Sequence, residues 1–147
     1  MPASLSSTEI ESYHHNGFLF PVDVMPGNEA TQFRSEIEDL EKTYPDGSLP
    51  KPLSQYFRVG AHVVIPMMAK IAAIPAVLDA VQSILGPNLL VWSCELFIKE
   101  PSTRKIVSWH QDLTYWGMGE TDDQMTAWIA LSPATPQSGC MKFVAGS

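Results

Sequence analysis

The stretch Gly86–Ile98, GPNLLVWSCELFI, is where the texture of the chain changes. Just before it, Ala76-Val77, Ala80-Val81 and Ile84-Leu85 recur every four residues, which builds one broad apolar helical face. Gly86-Pro87-Asn88 breaks that periodicity sharply. From Leu89 to Ile98, β-branched and aromatic residues dominate and Glu95 is the only charge, which predicts an extended strand. Helices therefore precede a β-rich section. That order predicts an α+β fold, with helices packed against a sheet or barrel.

Working back from the break, Pro75 suits the first turn of a helix over 75–85, and 63–74 reads as the helix before it. Pro45-Asp46-Gly47-Ser48-Leu49-Pro50-Lys51-Pro52 is a loop rich in helix breakers. Over Glu29–Tyr44, Ala30, Phe33, Ile37 and Leu40 keep helical spacing, while Glu36, Glu38, Asp39 and Glu41 occupy the wet side. Ser6-Ser7-Thr8-Glu9 supplies N-cap residues for a short helix through about Tyr13, Gly17 stops it, and Phe18–Val22 predicts a strand. Working forward, Ile106–His110, Met125–Leu131 and Cys140–Val144 predict three more strands, the last two joined by the turn-rich Ser132–Gly139. The chain reads as one domain, helical over about 1–88 and β over about 89–147.

Composition narrows the function classes. A chain of 147 residues can bury a real core, and 45% hydrophobic with 17% charged residues marks a globular protein. The net charge of −7 and nine scattered Lys and Arg exclude a phosphate-tracking surface, so neither nucleic acid nor an anionic membrane is expected as a partner. Apolar runs are too short for a membrane span, and Met1–Glu9 has no leader pattern. Cys94 and Cys140 lie far apart and outside any CxxC arrangement, so both are expected as reduced, buried thiols in a cytoplasmic protein.

The chemistry-bearing residues sit in Ser108–Trp116, SWHQDLTYW. On a strand His110 and Asp112 would point the same way, with Gln111 opposite. An imidazole nitrogen and a carboxylate oxygen in one space suit a borderline divalent metal such as Fe(II), as two thirds of a 2-His-1-carboxylate face. Spacing alone also fits a hydrogen-bonded His–Asp pair at a strand end, which is the commoner outcome.

Several motifs in order carry a resemblance. WHQDLTYW (109–116), followed by TAWIALSPATPQSGCMKFVAGS (126–147), is similar to the phytanoyl-CoA dioxygenase family of Fe(II)- and 2-oxoglutarate-dependent oxygenases. LSSTEIESYHHNGFLFPVDVM (5–25) resembles the family's opening helix and strand, and IPAVLDAVQSILGPNLLVWSCELFIKEPS (74–102) its helix pair, Gly-Pro-Asn turn and strand ending in Lys-x-Pro. The resemblance implies N-terminal helices on a double-stranded β-helix, a jelly-roll of cupin type, present here in part. It implies His110 and Asp112 as iron ligands and Trp128 bordering the 2-oxoglutarate pocket. It also implies Arg58 reaching that co-substrate, with a solvated loop arginine as the competing reading, and Trp116 on the substrate side, with a core aromatic as the competing reading. Lys99 and Glu95 lie on the strand beside the site, Lys99 as a structural residue, while His14, His15 and His62 read as surface positions.

The activity implied is hydroxylation of a small or lipid-like metabolite, with O2 and 2-oxoglutarate consumed. Halogenating relatives lack the aspartate, so Asp112 implies hydroxylation. No His or Arg follows Asp112. The family's distal His ligand and its co-substrate Arg therefore have no counterpart, and the expectation is a C-terminally truncated chain, inactive alone. The alternative is a metal-free binding or interaction module of the same fold.

Overall fold

The structure is a computed structural model that describes residues 4–121 and 123–147. The leader reading at Met1–Glu9 lies partly outside them, at residues 1–3. Helix α1, Ser7–Asn16, begins on a capping box: Ser6 Oγ accepts the Glu9 N–H, and the Glu9 carboxylate accepts the Ser6 N–H at 2.8 Å. The Ser6 hydroxyl and then the Ser6 N–H hold the Glu9 carboxyl below the usual carboxylate range. Gly17, at φ 80°, closes the helix through its N–H to the Tyr13 carbonyl.

Helix α2, Gly27–Thr43, buries Phe33 and Ile37 on one side, while Arg34–Glu38 and Lys42–Asp39 ion pairs lie exposed on the other. The expected loop over Pro45–Pro52 carries no helix, and a short turn of helix, α3, Leu53–Tyr56, follows it directly. The helix expected over 63–74 is two helices, α4, Ala61–Val64, and α5, Pro66–Ala72. The reason is local. Pro66 has no N–H to continue α4, and Ile65 before it is extended at φ −119°, ψ 105°, as a residue preceding proline tends to be. Pro75 opens α6, Pro75–Leu85, as expected.

The core cluster lies among these helices: Phe33, Ile37, Phe57, Ala61, Ile65, Met67, Met68 and Ile71. Fully burying one such large side chain stabilises by about 1.5–3 kcal/mol, so the helical half dominates the packing energy. No single described helix is long and apolar enough to cross a membrane; α5 and α6 reach that length only as a pair bent by 49°.

The strands expected at Phe18–Val22, Leu89–Ile98, Ile106–His110, Met125–Leu131 and Cys140–Val144 are not laddered strands; no strand occurs among the described residues. β-propensity reports fit to a pleated, half-buried surface, and a ladder needs a neighbour in register. The first of the C-terminal segments does find a backbone partner in the helical half. Leu96 N–H donates to the Phe57 carbonyl at 2.8 Å, Ala61 N–H to the Cys94 carbonyl at 2.9 Å, and Gly60 N–H to Ser93 Oγ at 3.2 Å. Cys94, Leu96, Ile129 and Leu131 pack against the core cluster. Both cysteines are free and half-buried.

The opposite sides of those segments face outward. Phe97 follows the core-facing Leu96, and Trp128 precedes the core-facing Ile129; both are exposed. Helix α7, Leu113–Trp116, is a single turn inside SWHQDLTYW. The last segment returns to the first: Phe143 packs against Phe18 with ring centroids 5.1 Å apart, and Gly146 N–H donates to the Asn16 carbonyl.

Candidate metal centre

His110 and Asp112 come together, though not by strand alternation. Asp112 has helical dihedrals, φ −58° and ψ −43°, and stands just before the single turn α7, with its side chain making no capping bond. That turn swings its carboxylate back toward the ring of His110. His110 Nε2 and Asp112 Oδ1 stand 3.2 Å apart, both side chains about one third exposed. The Tyr115 ring, one turn further on, meets the imidazole edge to face at 6.0 Å.

Each outer atom of the pair is committed. His110 Nδ1 lies 2.8 Å from the Ser108 carbonyl oxygen. A carbonyl only accepts, so Nδ1 carries the proton and donates. In the neutral ring, Nε2 is then an unprotonated acceptor facing a carboxylate oxygen, an arrangement that repels unless a second proton or a cation stands between them. On the far side, Asp112 Oδ2 accepts the Thr126 hydroxyl at 2.7 Å.

This geometry fits a divalent cation. Ligands at about 2.1 Å on neighbouring octahedral corners lie about 3 Å apart, close to the observed donor separation. The Nδ1–H to carbonyl bond is the outer contact that orients a metal-binding histidine and frees Nε2 as the donor. Among the described residues, no group of three His, Cys, Asp and Glu side chains converges to complete such a site. The pair therefore offers two donors and leaves the remaining faces open.

The other residues singled out from sequence are dispersed. Trp128 lies two residues beyond Thr126, the residue hydrogen-bonded to Asp112, and is 46% exposed. Trp116 is half-buried as the last residue of α7, before Gly117 at φ 64°. Arg58 is exposed just after α3, and no hydrogen bond or ion pair joins it to His110 or Asp112 among the described residues. Glu95 is exposed, and Ser93 Oγ lies 3.5 Å from it. Lys99 runs across Gly139 at φ +79°, where a side chain would collide with its amine end. His14 and His15 are exposed on α1 as expected, but His62 is half-buried in α4 with Nδ1 shielded and unpartnered.

Three residues of the site, Ser108, Tyr115 and Thr126, were not singled out from the sequence. Ser108 contributes a backbone carbonyl, which leaves no trace in residue type. Thr126 was detectable as the residue two positions before Trp128, on the same side of an extended segment.

Curated proteins are similar to this chain along most of its length. A Caenorhabditis elegans protein named "Probable phytanoyl-CoA dioxygenase" is 26% identical over 164 residues, covering 97% of this chain and 53% of that protein. Human peroxisomal phytanoyl-CoA dioxygenase is 25% identical over 152 residues, covering 92% and 45%. Ectoine dioxygenase of Bordetella parapertussis is 24% identical over 135 residues, covering 88% and 43%. The chain thus spans about half the length of the curated relatives it matches. Among solved structures, "CytC3 with Fe(II) and alpha-ketoglutarate" superposes with a TM-score of 0.50 at 24% identity, over 63% of this chain and 36% of that one, a likeness of fold. The family model described as Phytanoyl-CoA dioxygenase (PhyH) matches residues 13–147, nearly the whole sequence, and the chain belongs to that family.

Proposed function

We propose that the protein carrying this chain is an Fe(II)- and 2-oxoglutarate-dependent dioxygenase that hydroxylates a small or lipid-like metabolite. The observation that carries the reading is the His110 Nε2–Asp112 Oδ1 separation of 3.2 Å, with Nδ1 and Oδ2 each held by an outer partner. Family membership and the Fe(II) and alpha-ketoglutarate named in the CytC3 structure point to the same metal and co-substrate. On this reading residues 1–147 are part of one domain. Their extended C-terminal segments contribute to a double-stranded β-helix, and a third ligand and a co-substrate arginine come from outside the chain.

An iron held by His110 and Asp112 would supply the oxygen chemistry in which O2 is divided between 2-oxoglutarate, giving succinate and CO2, and a substrate C–H bond, giving a hydroxyl. The residues of this chain hold and orient. His110 and Asp112 supply two donors on one face. Trp128 and Arg58 belong on this reading to the 2-oxoglutarate site, and Trp116 to the substrate side. Exposed apolar side chains such as Phe97 and Trp128 would exclude water from the reacting centre if covered around it.

The test is turnover of labelled 2-oxoglutarate by the whole protein with Fe(II) and a panel of acyl thioesters, amino acids and lipids. Succinate release should rise with the right substrate and fall at least 100-fold in Asp112→Ala. Undiminished release in that variant would remove Asp112 from the ligand set. No release with any metal-loaded preparation would favour a metal-free binding module.

A further inference from the structure

We infer that Thr126 is a positioning residue that holds Asp112 as a one-oxygen donor, with Oδ1 turned to the metal and Oδ2 turned away. This rests on the reading of His110 and Asp112 as metal ligands. The two carboxylate oxygens are in different situations. Oδ2 accepts the Thr126 hydroxyl at 2.7 Å, whereas Oδ1 faces His110 Nε2 at 3.2 Å. Turning the carboxylate so that both oxygens face the cation would break the hydroxyl bond.

Thr126 is suited to this because of where its own segment is anchored. It lies 14 residues along the chain from Asp112, so the bond is a tertiary contact. Three and five residues later, Ile129 and Leu131 pack against the helical core. Asp112, by contrast, sits on a turn whose nearby restraint is the Tyr115 N–H donating to its carbonyl. The hydroxyl therefore ties a donor on an exposed turn to the packed half of the molecule. The count of coordination positions gives the contact its purpose. Three protein donors leave three octahedral positions, which a chelating co-substrate and oxygen fill completely. A two-oxygen aspartate would take one of them.

The experiment is anaerobic titration of the whole protein with Co(II), read by its ligand-field absorption, for the parent, Thr126→Val, Thr126→Ala, Thr126→Ser and Asp112→Ala. Outer contacts of this kind typically set metal affinity by about 10–100-fold. The expected result is parent-like affinity and spectrum for Thr126→Ser. Thr126→Val and Thr126→Ala should bind 10–100-fold more weakly with an altered spectrum, while their far-UV circular dichroism stays unchanged. Parent-like affinity and spectrum in both hydroxyl-free variants would overturn the role of Thr126, as would an equal loss in Thr126→Ser. If the parent binds Co(II) no better than Asp112→Ala, the metal-site reading itself fails.

Discussion

His110 shows how one carbonyl can decide the chemistry of a ring. With Nδ1–H committed to Ser108, Nε2 is the nitrogen available to face Asp112. The pairing of these two residues was legible in the sequence as His-x-Asp, but the reason expected for it was wrong. A strand would align them by alternation, whereas here Asp112 turns back through helical dihedrals at the start of α7. Ser108 was not legible, because it acts through its backbone; Thr126 was detectable by its spacing from Trp128, but its bond to Asp112, a tertiary contact, was not. Cys94 is a second residue whose surroundings set its behaviour. Burial first, and the neighbouring Glu95 charge second, push its thiol above the ordinary range. The reactive form is the thiolate, so a raised value leaves less of it at a given pH. Mass spectrometry after iodoacetamide treatment at pH 8 should show Cys94 alkylated more slowly than a cysteine in an unstructured peptide. An equal or faster rate would contradict the burial seen here.

The helices were legible where a local signal was strong. The Ser6–Glu9 capping box, the apolar face of α2 and Pro75 at the start of α6 all act within one or two turns of chain. The break at Ile65-Pro66 is also a local rule, but the apolar run across it masked the stop. The extended segments were legible as extended and not as paired, since pairing depends on residues distant in sequence. One contact between them makes a sharp test. Gly139 sits at φ +79° with Lys99 passing over it. The lysine end is flexible and can move aside, so the backbone conformation dominates the cost of a side chain there. Gly139→Ala should lower unfolding free energy by about 1–2 kcal/mol, the penalty for a left-handed residue bearing a Cβ. Urea denaturation measures it, and an unchanged midpoint would place Gly139 in an unstrained conformation.

The whole molecule divides into a packed helical half and an outward-facing extended half. Among the described residues, each buried hydrophobic side chain belongs to the region from Phe33 to Val77, whereas Leu90, Trp92, Phe97, Ile106, Val107 and Trp109 are exposed. The order of a helical part before an extended part was readable from the change of texture at Gly86-Pro87-Asn88, whereas pairing of the extended segments depends on residues distant in sequence. The central claim is that one face of this molecule gathers His110 and Asp112 around iron. It is tested most directly by adding Fe(II) and 2-oxoglutarate to the whole protein without oxygen and recording the visible spectrum. The account predicts the weak charge-transfer band of a chelated complex at one equivalent of iron, absent in both His110→Ala and Asp112→Ala. A full-strength band in both variants would contradict it.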